Sequence, residues 1–200
     1  MKTLLQLNSS MFSKGGQSSR LADSFVAAWQ ASHPGANIIK RDLAQEPVPH
    51  LDAARFQALI AQPAVRTAAE QAVVDFSDAL IAELRSADVL VLGLPMYNFG
   101  VPSTLKAYID HIARAGITFR YTETGPVGML TGKKAYVFAT RGGLYAGTAL
   151  DMQTAYVRHF LKFIGIEDVE FIYAEGLNLG DSSKSNSLAK AQAELAELAA

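Results

Sequence analysis

The sequence contains no cysteine, which excludes disulfides, thiolate metal sites and cysteine nucleophiles together. A reducing, cytoplasmic location is the expectation this fits. An excess of either charge is also lacking: 18 Lys and Arg face 19 Asp and Glu, for a formal net charge of −1. A chain so balanced has no electrostatic footprint for nucleic acid or an anionic membrane surface. No apolar run approaches the roughly 18 residues of a membrane span. The N-terminal "TLLQL" (3–7) is too short for a signal peptide and no cleavage site follows it.

Several chemical signatures are missing too. "GMLTGKK" (128–134) has the look of a Walker A loop, but its glycine spacing is one short and Lys134 stands where Ser or Thr is required. Its simpler reading is a turn entering a strand. No G-x-G-x-x-G follows a strand-like run, and no G-x-S-x-G nucleophile elbow occurs. His33, His50, His111 and His159 show no metal-ligand spacing, and Asp110 and His111, being adjacent, diverge on a helix. Metal, acyl-transfer and hydrolase chemistry therefore have no visible machinery.

What is present is a regular alternation. Five apolar runs read as buried strands: "TLLQLN" (3–8), "ANIIKRDL" (36–43), "ADVLVLGLP" (87–95), "KAYVFAT" (134–140) and "DVEFIYAEG" (168–176). The third and fourth hardly alternate, as expected of strands covered on both faces. Helical patterns separate them. Residues 18–31 carry Leu21, Phe25, Ala28 and Trp29 on one face, with Ser18 as the expected N-cap. Residues 65–85 carry Ala69, Ala72, Val73, Phe76, Leu80 and Leu84, and 102–114 opens on Pro102. Residues 148–164 carry Met152, Tyr156, Phe160 and Phe163, and 185–199 carry Leu188, Ala191, Leu195 and Leu198. Two stretches stand outside the pattern, 44–64 with a short helix and the Gly-rich 115–132 with little periodicity. One doubly wound α/β domain over residues 1–200 follows, built on a parallel sheet with helices on both faces.

In open α/β sheets, ligands sit beyond the carboxyl ends of the strands where the winding reverses. The loops to inspect are "SSMFSKGGQSS" (9–19), "PMYNFG" (95–100) and "TRGGLYAG" (140–147). In a strand order 2-1-3-4-5 the strands they follow are neighbours, so the loops converge. The first offers serines, Gln17, two glycines and the amides of a helix start, a set suited to a phosphate; an ordinary connection with a serine cap would use the same residues. Met96, Tyr97 and Phe99 give the second loop surfaces for a flat ring, and Asn98 gives it hydrogen bonds. A turn folded back on the core is the other reading. "TRGG" can lay two unhindered amides along a ring edge, or serve as a plain helix-entry turn.

These residues match a known pattern. "SS" (9–10), "GGQSS" (15–19), "PMYNFGVPSTLKAYIDHIARAGITFRYTETGP" (95–126), "LTGKKA" (130–135) and "TRGG" (140–143), with "FIGI" (163–166) and "AEG" (174–176), resemble the FMN-dependent NADH azoreductases. That group is a branch of the flavodoxin-like NAD(P)H quinone reductases. The resemblance implies a flavodoxin-like sandwich, with the FMN phosphate on Ser10, Gly16, Gln17 and Ser18. It places the isoalloxazine against Met96, Tyr97, Asn98 and Phe99, and its pyrimidine side on Thr140, Arg141, Gly142 and Gly143. By position alone, Arg141 and Asn98 are the expected tuners of the ring. It also implies a homodimer with the site at the interface. Phe119, Tyr121 and Phe163 of a second subunit, together with Asn98 and Phe99, would then cover the ring where substrate stacks. The implied reaction takes NADH or NADPH as donor and a quinone or azo compound as acceptor, in two-electron ping-pong fashion without an essential acid or base. "LYAGTALDMQ" (144–153) departs from the family pattern beside the site. An electron carrier without a substrate of its own is the alternative on the same fold.

Overall fold

The computed structural model describes residues 2–199. The chain runs β1 (Thr3–Asn8), α1 (Gln17–Ser32), β2 (Asn37–Asp42), α2 (Ala53–Ile60), α3 (Ala68–Ser86), β3 (Val89–Pro95), α4 (Ser103–Ile112), β4 (Phe119–Thr122), β5 (Gly125–Gly128), β6 (Lys134–Thr140), α5 (Met152–Ile164), β7 (Asp168–Ala174) and α6 (Asp181–Leu198). Five strands pair in parallel in the order β2-β1-β3-β6-β7. This is the expected 2-1-3-4-5 order, with an antiparallel β4–β5 pair inserted ahead of the fourth parallel strand.

Neighbouring residues in β1, β3, β6 and β7 largely alternate between two cores rather than between core and solvent, while the edge strand β2 is only partly buried. Leu4, Val89, Val91, Phe138 and Ile172 pack with α1 and α6 on one face. Leu5, Leu7, Leu90, Leu92, Val137 and Phe171 pack with α3, α4 and α5 on the other. Both cores demand apolar residues, which is why the runs read as continuous.

On two helices the buried line follows the expected apolar spacing only in part: Leu80 and Leu84 of α3 are buried, and Phe160 and Phe163 of α5 pack partly buried against the core. On α5 the buried line is Gln153, Val157, Leu161 and Ile164; Met152 is 68% exposed and Tyr156 37%. On α3 the buried line begins at Val74 and Ser77, and Phe76 is exposed. Each helix carries a second apolar stripe, and periodicity alone does not say which one meets the sheet. The 115–132 stretch is likewise not an irregular surface loop but a hairpin. Thr118 and Phe119 of "ITFRY" are buried, Phe119 lying 4.3 Å from Phe163 between ring centroids, and only Arg120 and Tyr121 face solvent fully.

One core residue is a polar misfit. Tyr108 on α4 is 2% exposed, its hydroxyl has no hydrogen-bond partner, and burial pushes its pKa well above the usual phenol range. It lines a cavity of about 30 Å³ otherwise walled by Leu, Ile, Val and Phe. Because an unsatisfied buried hydroxyl costs about 1–3 kcal/mol, Tyr108→Phe is expected to stabilise the fold by about 1 kcal/mol. A thermal melt reads this as a rise of about 2–4 °C, and a fall would contradict it.

Candidate functional site

Past the carboxyl ends of β1, β3 and β6 the three loops do converge, on a cleft of about 290 Å³. Its lining includes Ser10, Gly16, Gln17, Met96, Tyr97, Thr140, Arg141 and Gly142 of the residues singled out from the sequence. Phe12, Leu177, Asn178 and Lys184 join them. A larger depression of about 800 Å³ lies at the opposite edge of the sheet, between Trp29, His33, Lys133 and Asp168. Volume does not decide between the two; the partnerless polar groups do.

Among the described residues, seven buried side-chain polar atoms lack a partner; Arg141 Nε belongs to a residue that lines the smaller cleft, and Asn8 Nδ2, Ser18 Oγ, Ser19 Oγ and Gln153 Oε1 belong to residues near its lining loops but not in the lining. Buried polar groups are normally satisfied, so each of these exceptions calls for an explanation. The first loop shows the pattern best. A short 3₁₀ turn, Ser13–Gly15, leads to Gly16, and Gly16 rather than Ser18 is the residue that caps α1. Ser18 therefore sits inside the first turn, 0% exposed, with its hydroxyl free. It is not consumed by capping and lies where the helix dipole favours an anion. A Cβ on Gly16 would come within 2.2 Å of Ser10 Oγ, so glycine is what lets the backbone pass beside that hydroxyl. Ser10 Oγ in turn accepts from Phe12 N (3.2 Å) and lies 3.3 Å from the Tyr97 hydroxyl.

The second loop is a strained turn. Tyr97 N and Gly100 N each donate to the other residue's carbonyl (3.2 and 3.0 Å), and the residues between them, Asn98 and Phe99, have φ of +49° and +65°. Left-handed backbone at a non-glycine residue costs of order 1–3 kcal/mol and is concentrated at functional sites. The turn is held from below by Gln153 Nε2, which donates to Pro95 O (2.9 Å) and Gly100 O (3.0 Å). Asn98 and Phe99 stand at the rim rather than in the lining, with Phe99 half exposed and edge-on to Tyr145 at 5.7 Å.

The third loop offers backbone rather than side chain. Arg141, expected as a tuner of the ring, has a side chain 0% exposed; its guanidinium is bound by Asp151 (2.8 Å), Glu175 (3.1 Å) and Thr154 (2.8 Å). Its N–H donates to Ala174 O (2.9 Å). Among the described residues, the Gly142 and Gly143 N–H groups have no acceptor. Burial pushes the Asp151 carboxyl up, but hydrogen bonds from Arg141 and Thr154 outweigh it and hold the carboxyl below its usual range. With Arg141 neutralised, Lys184 is the lining residue that brings uncompensated positive charge to the cleft mouth.

Phe119, Tyr121 and Phe163 do not line this chain's own cleft. They form a separate aromatic group on the hairpin and α5, with Phe119 and Tyr121 rings 5.4 Å apart. Sequence reasoning missed Gln153, Asn178 and Lys184. Gln153 left a signal: it falls four residues before Val157 and eight before Leu161, a polar residue on a core-facing line. Asn178 and Lys184 left none.

The sequence matches the flavodoxin-like fold family over residues 1–199. The chain belongs to that family. Among flavodoxin-like relatives, an FMN-dependent NADH:quinone oxidoreductase of Cellvibrio japonicus is 55% identical over 194 residues, covering 97% of this chain and 98% of the relative. The azoreductase of Bacillus anthracis str. Sterne superposes with a TM-score of 0.91 at 27% identity, covering 100% of this chain and 99% of the other. An FMN-dependent NADH-azoreductase from Bacillus anthracis str. Ames Ancestor, solved in complex with FMN, gives 0.88 at 27% identity with 100% of both chains covered.

Proposed function

We propose that the protein is a one-domain, cytoplasmic, FMN-dependent NADH:quinone oxidoreductase that also reduces azo compounds, acting as a homodimer with the cofactor at the interface. The observation that carries this reading is the loop into α1: Ser10, Gly16 and Gln17 line the cleft, Gly16 could not bear a Cβ unless Ser10 moved, and the adjoining Ser18 hydroxyl, 0% exposed and not itself in the lining, has no partner. A phosphate monoester satisfies that hydroxyl and the amides around it. Ser10, Gly16, Gln17 and Ser18 would hold the phosphate, the 96–99 loop the ring, and the Gly142 and Gly143 amides its polar edge. FMN, when bound, supplies two-electron exchange between a nicotinamide and a flat acceptor. The chain's own part is to orient the ring, exclude water from one face and aim fixed N–H dipoles where negative charge develops. No group of three or more His, Cys, Asp or Glu side chains that could hold a metal occurs among the described residues.

The second apolar stripe of α5, with Met152 and Tyr156 exposed, and the hairpin's exposed Tyr121 and Val127 support a dimer whose partner completes the site. Donor and acceptor would then use one slot in turn. Initial rates of NADH oxidation with a small quinone should give parallel reciprocal lines and depend on FMN loading. Intersecting lines would contradict a shared slot, and an absence of turnover would leave only an electron carrier.

A hydrogen bond to a charged group is worth about 1.5–3 kcal/mol, so Ser18→Ala should weaken FMN binding by about 10- to 100-fold and leave riboflavin, which has no phosphate, bound as before. Fluorescence quenching titrations with the two flavins check this; equal losses for both would contradict it.

A further inference from the structure

We propose that Glu175 is the positioning residue for the cofactor's ring edge, fixing the direction of the Gly142 and Gly143 N–H groups and, with Asp151, setting the charge behind them. This rests on the flavin reading above. Glu175 directly follows β7 and its side chain is 14% exposed. One of its oxygens, Oε1, accepts three hydrogen bonds: from Arg141 Nη1 at 3.1 Å, from Tyr145 N at 2.9 Å and from Ala146 N at 2.9 Å. The donors lie on either side of Gly142 and Gly143 in sequence, so a single carboxylate draws the segment into a closed turn with the two glycines within it.

The residues after Glu175 complete the frame. Gly176 N donates to Gly143 O (2.9 Å), Leu177 N to Arg141 O (3.1 Å) and Asn178 N to Gly142 O (3.0 Å). Three successive carbonyls are thus turned toward the extension of β7, and Gly142, whose N–H has no acceptor among the described residues, lines the cleft. The carboxylate also has an electrostatic consequence. One guanidinium lies between two carboxylates, Asp151 and Glu175, with side-chain exposures of 0%, 7% and 14%. The cluster keeps one net negative charge, and burial leaves it poorly screened. Two-electron reduction adds negative charge to a flavin ring, so this cluster opposes reduction and holds the midpoint potential down.

The two effects separate in two variants. Glu175→Gln keeps an oxygen acceptor and removes the charge; Glu175→Leu removes both. In FMN-loaded Glu175→Gln, a dye-equilibrium titration should read a midpoint potential more positive than wild type, with FMN affinity changed less than about threefold. Glu175→Leu should weaken FMN and riboflavin by the same factor, about tenfold or more, because the ring edge rather than the phosphate is lost. A residue needed only for folding would lower the melting temperature without moving the potential of the Gln variant. An unchanged potential in Glu175→Gln overturns the proposal, even if the Leu variant fails to fold. A wild-type protein that binds neither flavin overturns the flavin reading itself, a distinct result.

Discussion

Replacing Arg141 with methionine is expected to lower the unfolding free energy by about 3–5 kcal/mol, the usual cost of removing one partner from a buried ion pair. Methionine preserves much of the side-chain volume, so the loss reports charge rather than a cavity. It would leave Asp151 and Glu175 facing each other, 7% and 14% exposed, without the guanidinium that joins them. Thr154 would lose one hydrogen-bond partner of its hydroxyl, keeping the Tyr173 hydroxyl at 3.1 Å, and the cation–π contact with Tyr173, now 5.0 Å from guanidinium carbon to ring centroid, would vanish. Asp151→Asn in the same background should recover part of the loss, because it removes one of the two uncompensated charges. Urea unfolding of the wild type and the two variants checks this. A loss below about 1 kcal/mol would mean that the cluster is hydrated and worth no more than a surface pair.

Gly128→Ala should be the other severe substitution. Gly128 ends β5 where the hairpin meets the C-terminus of α5, and an added Cβ would lie 2.0 Å from Gly165 N, 2.3 Å from the Ile164 carbonyl carbon and 2.4 Å from Gly165 Cα. All three are backbone atoms, and Gly165 is fixed as the left-handed cap of α5 at φ +104°. Neither partner can yield without breaking Leu130 N to Ile164 O (2.8 Å) or the cap itself. Overpacking of this kind typically costs 1–3 kcal/mol, and contact with backbone on every side puts the expected loss at about 3 kcal/mol. The hairpin would lift from α5, separating Phe119 from Phe163. In the dimeric reading, self-association would weaken along with stability. Thermal melts and sedimentation velocity read the two effects; a variant with wild-type stability would show that the contact of β5 with α5 is loose.

The parallel sheet was legible because its central strands β3 and β6 must satisfy two cores at once, which leaves near-continuous apolar runs, whereas the edge strand β2, NIIKRD, keeps only Ile38 and Ile39 for the cores. The loops at the site were legible for a different reason. Glycines, serines and amide side chains beyond strand ends have no use in a core, so "SKGGQSS" and "TRGG" stand out from the pattern. Side-chain direction was not legible. Arg141 lies in a cleft-forming loop, yet its guanidinium turns inward to carboxylates 10 and 34 residues away in sequence, Asp151 and Glu175. Nothing local in the chain announces those partners. Ser18 reads as a helix cap from its neighbours, and only the backbone places the cap two residues earlier at Gly16. The stripes of α3 and α5 were ambiguous in principle, since a helix that meets both a sheet and a second partner shows two apolar lines with one period. Asn178 and Lys184 lie on the segment after the last strand, where topology rather than local sequence brings them to the cleft.

A flavin held in this cleft and reduced by a nicotinamide has a plain optical signature. The most direct measurement is the visible spectrum of the FMN-loaded protein before and after NADH is added without oxygen. Flavin absorption bands are expected to bleach with NADH and return when a quinone follows. A protein that takes up no FMN, or whose bands do not change with NADH, would contradict this.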